Sequence, residues 1–326
     1  MDVAILFSNK AGFEFTVGEK HMEMVQQALP DARVYFGESG DELAAQGADP
    51  EILITWVTGG GHFIAEEYCM GLKNLKWIHG LSAGVEGVTQ SAVATIPGLI
   101  LTNAKGTHGV PISEHVLGYM IYHYLGFNRN RAAQAAQVWD RFIPQELYGK
   151  TISILGMGSI ASDVAKRAKA FGMTVLGVKR TMADIEYVDE VLTNDRMDEA
   201  ISRADTLVML LPAMDETDKI MDAGKFAIMK DGAFFVNVGR GQTVDTAALV
   251  QALKSGKLSG AALDALDPEP LPAGHPLWSM DNVFITPHMS AQSPMYMHRA
   301  FQVFQNNVPY YLRGERMPSQ MDIDKY

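Results

Sequence analysis

The sequence predicts an α/β protein built from two doubly wound parallel sheets. Its 326 residues are enough for about two domains. Short apolar runs alternate with helical stretches along the chain, the pattern of parallel strands joined by helices. In the second half, Thr151 to Arg180 reads TISILGMGSIASDVAKRAKAFGMTVLGVKR: a β-rich run, a glycine turn, a helical pattern and another strand.

Composition narrows the classes further. Hydrophobic residues make up 47% of the chain, so substantial cores can form. A net charge of −11 argues against an electrostatic grip on nucleic acid or on an anionic membrane. Cys69 is the single cysteine, which excludes a disulfide within the chain and a cysteine-based metal site; no metal is expected. The opening MDVAILFSNK lacks a basic leader and a cleavage site and reads as a first strand. No apolar segment has the length of a membrane span, so the expected setting is cytoplasmic.

In the first part of the chain, strands are expected at Val3 to Phe7, Arg33 to Phe36, Ile52 to Trp56, Leu75 to His79 and Leu99 to Thr102. Helices are expected from Glu19 to Leu29, stopped by Pro30, and from about His62 to Met70. Pro111 to Gly126 reads as a long helix, and Arg129 to Arg141 as a polar, Ala-rich one. Beyond Arg180, strands are expected at Thr206 to Leu211, Ala233 to Val238, Gly260 to Leu266 and Val283 to Thr286. Helices are expected at Lys225 to Met229, Thr246 to Leu253 and about Ser293 to Leu312, followed by a polar tail running along a surface.

The turn Gly156-Met157-Gly158-Ser159-Ile160-Ala161 lies between a strand (Ile152, Ile154, Leu155) and a helix whose apolar residues are Ile160, Val164, Ala168 and Phe171. That context makes the glycines a dinucleotide site. Gly156 permits the tight turn, Gly158 lets a pyrophosphate approach the backbone, and Ala161 is small enough for close helix–strand packing. The phosphates belong at the helix N-terminus, where unpaired N–H groups favour negative charge. The next strand, Thr174 to Val178, ends in Lys179 and Arg180, where an NAD site would carry a carboxylate for the ribose hydroxyls. Two cations there suit a 2′-phosphate, so NADP is favoured over NAD, and Thr181 adds a hydroxyl.

Three polar groups follow strands of this second half. Arg240 stands between two glycines in FFVNVGRGQTVD, accessible to a small anion that its guanidinium can fork onto. Glu269 lies in ALDALDPEP, near Asp264 and Asp267, and His288 lies in VFITPHMSA. A Glu and a His at adjacent strand ends make an acid–base pair in which the carboxylate orients the ring and favours the imidazolium. Such a group donates a proton to a ketone as a nicotinamide delivers hydride.

The stretches ISILGMGSIA, LLPAMDETDKIM, FFVNVGRGQTVDTAALVQALKSGKLSGAALDALDPEPLP, HPLWSMDNVFITPHMSA and NAKGTHGVPISEHVLGYM span most of residues 100 to 292. On these the chain resembles the D-isomer-specific 2-hydroxyacid dehydrogenases. The resemblance implies a Rossmann cofactor domain inserted into a flavodoxin-like substrate domain. Its boundaries are then 1–103 with 293–326 for substrate, and 104–292 for the dinucleotide, with a crossing helix and arm at 111–149. It implies Arg240 as substrate binder, Glu269 as partner of the catalytic histidine, and His288 as the acid–base that touches both substrate and nicotinamide. Asp264 falls on the family's aspartate near the nicotinamide. Ser82, Ala83 and Gly84, with Val85, fall on the loop whose N–H groups face the substrate carboxylate. Cofactor contacts are implied for Gly156, Met157, Gly158, Ser159, Ile160, Lys179, Arg180, Leu211, Pro212, Thr217, Val238 and Gly239.

The implied reaction is reduction of a small 2-oxo acid, of the glyoxylate or hydroxypyruvate kind, to a D-2-hydroxy acid with NADPH. Two other readings stay open: an NAD-linked enzyme running in the catabolic direction, and a cofactor-binding regulatory relative without catalysis. Retention of Arg240, Glu269 and His288 together speaks for catalysis. The arm from Tyr119 to Tyr148 carries Tyr122, Tyr124, Phe127, Trp139 and Phe142 besides its end residues. Aromatic surface of that extent, and the resemblance, imply a homodimer. The chain departs from the family in having Ala161 as third small residue, no cofactor aspartate, and Met289-Ser290-Ala291 after His288 in place of a small residue and glycine.

Overall fold

The computed structural model describes residues 1–9, 16–57 and 65–323. The chain divides into two compact units, residues 1–107 with 293–326, and residues 108–292.

The first unit begins β1 (Asp2–Leu6), α1 (Glu19–Ala28), β2 (Arg33–Gly37), α2 (Gly40–Ala45), β3 (Ile52–Thr55), α3 (Glu66–Gly71), β4 (Trp77–Gly80), α4 (Glu86–Thr89) and β5 (Ile100–Thr102). These strands are parallel in the order β2-β1-β3-β4-β5, the flavodoxin-like arrangement. Every residue of β3 and β4 is buried, as expected of central strands covered on both faces. Of the helix expected from His62 to Met70, residues 62–64 lie outside the described residues, and α3 is what the structure describes of it.

The second unit holds α5 (Gly109–Tyr124), α6 (Phe127–Ala135), β6 (Thr151–Leu155), α7 (Ser159–Ala170), β7 (Thr174–Val178), β8 (Glu190–Leu192), α8 (Met197–Arg203), β9 (Thr206–Met209), α9 (Ala223–Ile228), β10 (Ala233–Asn237), α10 (Thr246–Lys254), β11 (Leu258–Leu263) and β12 (Val283–Ile285). Its sheet is parallel throughout in the order β12-β11-β10-β9-β6-β7-β8. Counted from β6, that is the Rossmann order extended by one strand, with the topological switch between β6 and β9. α7 buries Ala161, Val164, Ala165 and Ala168, small residues that let it lie close to the sheet. α10 and α9 start at Asp245 and Asp222, whose side chains accept from Ala248 N and Lys225 N.

The chain then returns to the first unit with α11 (Tyr296–Leu312) and β13 (Gln320–Met321). α11 packs Phe301 and Phe304 into the core, and Phe304 stacks on Trp77 with centroids 5.1 Å apart. β13 pairs antiparallel with β5 and becomes the outer strand of the sheet, so the polar tail, which does run along a surface, also adds a short strand there.

The helix expected from Arg129 to Arg141 stops at Ala135. Gln137 takes a left-handed φ of 57°, with Gln137 N bonded to Gln134 O and Val138 N to Ala133 O. These are the paired bonds of a Schellman stop, filled by Gln in place of the usual glycine. α6 has no buried residue, so no tertiary packing carries the helix past that stop.

Candidate active site

Three strand ends of the second unit meet around the glycine turn. Gly156 follows β6 at φ 102°, and an added Cβ would lie 2.8 Å from Leu210 O. Gly239 follows β10, where a Cβ would lie 3.0 Å from Leu211 O. The backbone of Leu210 and Leu211, just after β9, is thus held between two glycines with no room for side chains. Gly158 differs: no atom lies within 4 Å of where its Cβ would stand. It is the N-cap of α7, without a side-chain cap bond, and the N–H groups of Ser159, Ile160 and Ala161 have no acceptor among the described residues. Met157 is buried, Ser159 is exposed and Ile160 is half-buried. Lys179 and Arg180 follow β7, the strand beside β6, and neither is paired with a carboxylate among the described residues. Pro212 is exposed beside this turn, whereas Thr217 is buried. The Thr217 hydroxyl donates to Pro212 O at 2.6 Å and accepts from Met214 N at 2.9 Å. With these two bonds the hydroxyl shapes its own loop.

Arg240, Glu269 and His288 follow β10, β11 and β12, three neighbouring strands. The Arg240 turn is pinned from below by buried Asn237, which accepts from Gly239 N and donates to Arg240 O and Ala265 O. A Cβ on Gly241 would lie 1.8 Å from Leu266 O, so the second flanking glycine is as obligatory as the first. Arg240 itself is exposed, its Nη1 donating to Gly239 O at 2.9 Å. Val238 is buried beneath it.

His288 Nδ1 lies 2.9 Å from Glu269 Oε2, which leaves Nε2 as the outward end of the ring. Both residues are exposed. The backbone at His288 is left-handed, φ 49°, which costs an L-residue about 1–2 kcal/mol. The surrounding bonds hold it there: His288 N donates to Asp264 O and to Thr286 O, each at 3.0 Å.

Asp264 is 2% exposed, and its carboxylate accepts from Thr286 Oγ1, Met289 N, Ser290 N and Ser290 Oγ. All four donors belong to the His288 turn. Beside the role expected of it near the nicotinamide, Asp264 clamps this turn through both carboxylate oxygens. Two further residues were not read from the sequence as part of the site. Tyr119 of α5 reaches Thr286 Oγ1 at 2.7 Å. His108, at the start of α5, is kept below its ordinary pKa by burial, partly offset by a hydrogen bond with the Ala291 backbone, and lowered again by the Arg240 charge.

In the first unit, the loop Leu81 to Gly84 has every carbonyl anchored. Tyr296 Oη donates to Leu81 O at 2.9 Å, Ala104 N to Ser82 O at 2.9 Å, Asn103 Nδ2 to Ala83 O at 2.7 Å, and Ser82 Oγ to Gly84 O at 2.9 Å. The N–H groups of Ser82, Ala83, Gly84 and Val85 have no acceptor among the described residues. Successive free amides of this kind form an anion-binding concavity.

The profile of the D-isomer specific 2-hydroxyacid dehydrogenase NAD-binding domain matches residues 117–290. A glyoxylate/hydroxypyruvate reductase A of Serratia proteamaculans is 30% identical over 282 residues, 85% of this chain and 87% of that protein. A D-3-phosphoglycerate dehydrogenase of Methanocaldococcus jannaschii is 32% identical over 300 residues, 89% of this chain and 55% of that protein. The chain thus spans about half the length of that relative. A solved structure of an NADPH-dependent glyoxylate/hydroxypyruvate reductase of Sinorhizobium meliloti, with NADP and sulfate, superposes with a TM-score of 0.72 at 25% identity, covering 99% of this chain and 98% of that one. The chain belongs to the D-isomer-specific 2-hydroxyacid dehydrogenase family, whose members are NAD(P)-dependent oxidoreductases of small 2-hydroxy and 2-oxo acids.

Proposed function

We propose that the chain reduces a small 2-oxo acid of the glyoxylate or hydroxypyruvate kind to the D-2-hydroxy acid, with NADPH as reductant. The observation that carries this reading is the His288–Glu269 pair at strand ends beside the Arg240 turn, with Nε2 of the ring left outward. Glu269 orients the imidazole, and Nε2 delivers the proton to the substrate carbonyl oxygen. In the second unit Arg240 forks onto the acid. In the first unit the N–H groups of Ser82, Ala83 and Gly84 suit a carboxylate. When bound, the nicotinamide supplies the hydride.

The residues fit that cofactor. Gly158 leaves space beside the uncapped start of α7, where a pyrophosphate is favoured. Leu211, Val238 and Gly239 form the adjoining backbone wall. Lys179 and Arg180 offer two cations and no carboxylate at the place that reads the ribose, which supports NADP. The 1–103 with 293–326 portion acts as substrate domain and 104–292 as dinucleotide domain. The arm that follows α6 joins two copies into a homodimer.

The test is initial rates at 340 nm with glyoxylate and hydroxypyruvate against NADPH and NADH. We expect kcat/KM with NADPH to exceed that with NADH by at least about 10-fold, each charge-assisted contact to phosphate supplying about that factor. The preference shrinks as salt rises. Equal use of both cofactors overturns the cofactor assignment, and absence of turnover with either acid overturns the substrate class.

A further inference from the structure

The hydrogen bonds behind His288 have a fixed direction. Thr286 has one hydroxyl proton, and it goes to Asp264 Oδ1 at 2.6 Å, an oxygen that also accepts from Met289 N. Tyr119 Oη, 2.7 Å from Thr286 Oγ1, must then donate to it. The Tyr119 oxygen is left to accept, so His115 carries its proton on Nδ1, 3.2 Å away. The chain of donors runs one way, from His115 through Tyr119 and Thr286 to Asp264. Burial, first among the causes, pushes the Tyr119 phenol up to about 12, so the proton is present for donation at neutral pH. The Tyr119 ring is fixed against Phe284 of β12, centroids 5.7 Å apart. On the other carboxylate oxygen, Ser290 donates through both N and Oγ. Ser290 lies in the Met289-Ser290-Ala291 run that departs from the family pattern.

We propose that Tyr119 is a positioning residue for His288. From α5 it fixes the Thr286 hydroxyl on Asp264, and Asp264 in turn locks the left-handed turn that carries the imidazole. Without the phenol, the Thr286 oxygen loses the donor that fixes it, and the Thr286 hydroxyl is freer to rotate away from Asp264. The proposal deepens the reading of His288 as the acid and rests on it.

The test is Tyr119→Phe, which removes one oxygen and keeps the ring. We expect kcat for 2-oxo acid reduction to fall about fivefold, with KM for acid and cofactor unchanged, as for loss of one ordered hydrogen bond. By NMR, the Met289 and Ser290 amides exchange faster with solvent, while amides of β6 and β9 do not. Thr286→Ser keeps the relay and stays close to the parent in both measurements, whereas Thr286→Val reproduces the loss. A Tyr119→Phe protein with unchanged kcat and unchanged Met289 and Ser290 exchange overturns the proposal, whether or not its Tm falls. If the unmodified protein turns over no 2-oxo acid, the functional reading fails instead, and the exchange measurement alone decides whether Tyr119 holds the turn.

Discussion

Gly156 and Gly158 belong to one turn but are glycine for different reasons. At Gly156 the cause is internal: φ is 102°, and a Cβ would press on Leu210 O at 2.8 Å. At Gly158 the backbone is extended, φ −107° and ψ −166°, and the Cβ position is empty. A side chain at Gly158 would meet no other part of the fold, so the proposed pyrophosphate is what would feel it. Gly156→Ala should cost more than about 1 kcal/mol of stability. Gly158→Ala should leave Tm unchanged and weaken NADPH at least about 10-fold, read by fluorescence titration. Wild-type affinity in Gly158→Ala would refute the pyrophosphate assignment. The βαβ context marked both glycines in the sequence, and Arg240, Glu269 and His288 were legible as candidates because each stands in a loop that follows an apolar strand. It could not show Tyr119 or the clamp role of Asp264. The Tyr119–Thr286 bond joins residues 167 apart, and which side chains meet depends on how β11, β12 and α5 adjoin.

The same distinction holds for elements. Strands with strong apolar runs were legible to within a few residues, as Thr174–Val178 shows. β8 is only Glu190–Leu192, too short to display a period, and exists because it pairs with β7. α6 was legible as a helix but not in length. Its continuation turns into an arm that Arg129 steadies, forking onto Asp140 at 2.5 and 3.0 Å and lying 4.4 Å from the Phe142 ring centroid. Tyr119 and Tyr124, counted as interface aromatics from sequence, are buried in their own unit. The apolar surface lies further on, with Val138, Trp139 and Ile143 exposed by 58%, 91% and 95%. Under the proposed homodimer, this outward apolar face is the one a second copy covers. Light scattering at micromolar concentration should give twice 35.7 kDa. Trp139→Ser with Ile143→Ser should give the single-chain mass, with any fall in Tm no larger than the loss of the partner's mass-action stabilisation, since neither side chain is packed in its own unit. A monomeric parent protein would contradict the homodimer.

Across the whole chain, stability should fall in acid earlier than carboxylate pairs alone would dictate. His21 and His79 are buried in the first unit, and His123 is partly buried in the second, stacked on Phe234 at 4.1 Å. Burial is the main cause that lowers each from 6.5 to about 4. His79 shows why the neutral ring is built in. Its Nε2 faces Ala300 O and must carry the proton, so Nδ1 is bare and accepts from Thr102 Oγ1, which itself accepts from Trp77 Nε1. A folded pKa below the unfolded one means that, between about 4 and 6.5, the unfolded chain binds protons that the folded chain refuses. This contribution is complete above pH 6.5 and is lost progressively as pH falls toward 4. Carboxylates such as Asp189, held below 3.8 chiefly by the Lys169 hydrogen bond, lose theirs only at lower pH. Melting curves should therefore show Tm dropping between pH 6.5 and 5. His79→Gln, which retains an amide donor and acceptor but cannot titrate, should lower Tm at pH 7 and make the fall toward pH 5 shallower. A parent Tm that stays flat from pH 6.5 to 5 would mean that these rings take up protons in the folded state as readily as in the unfolded one.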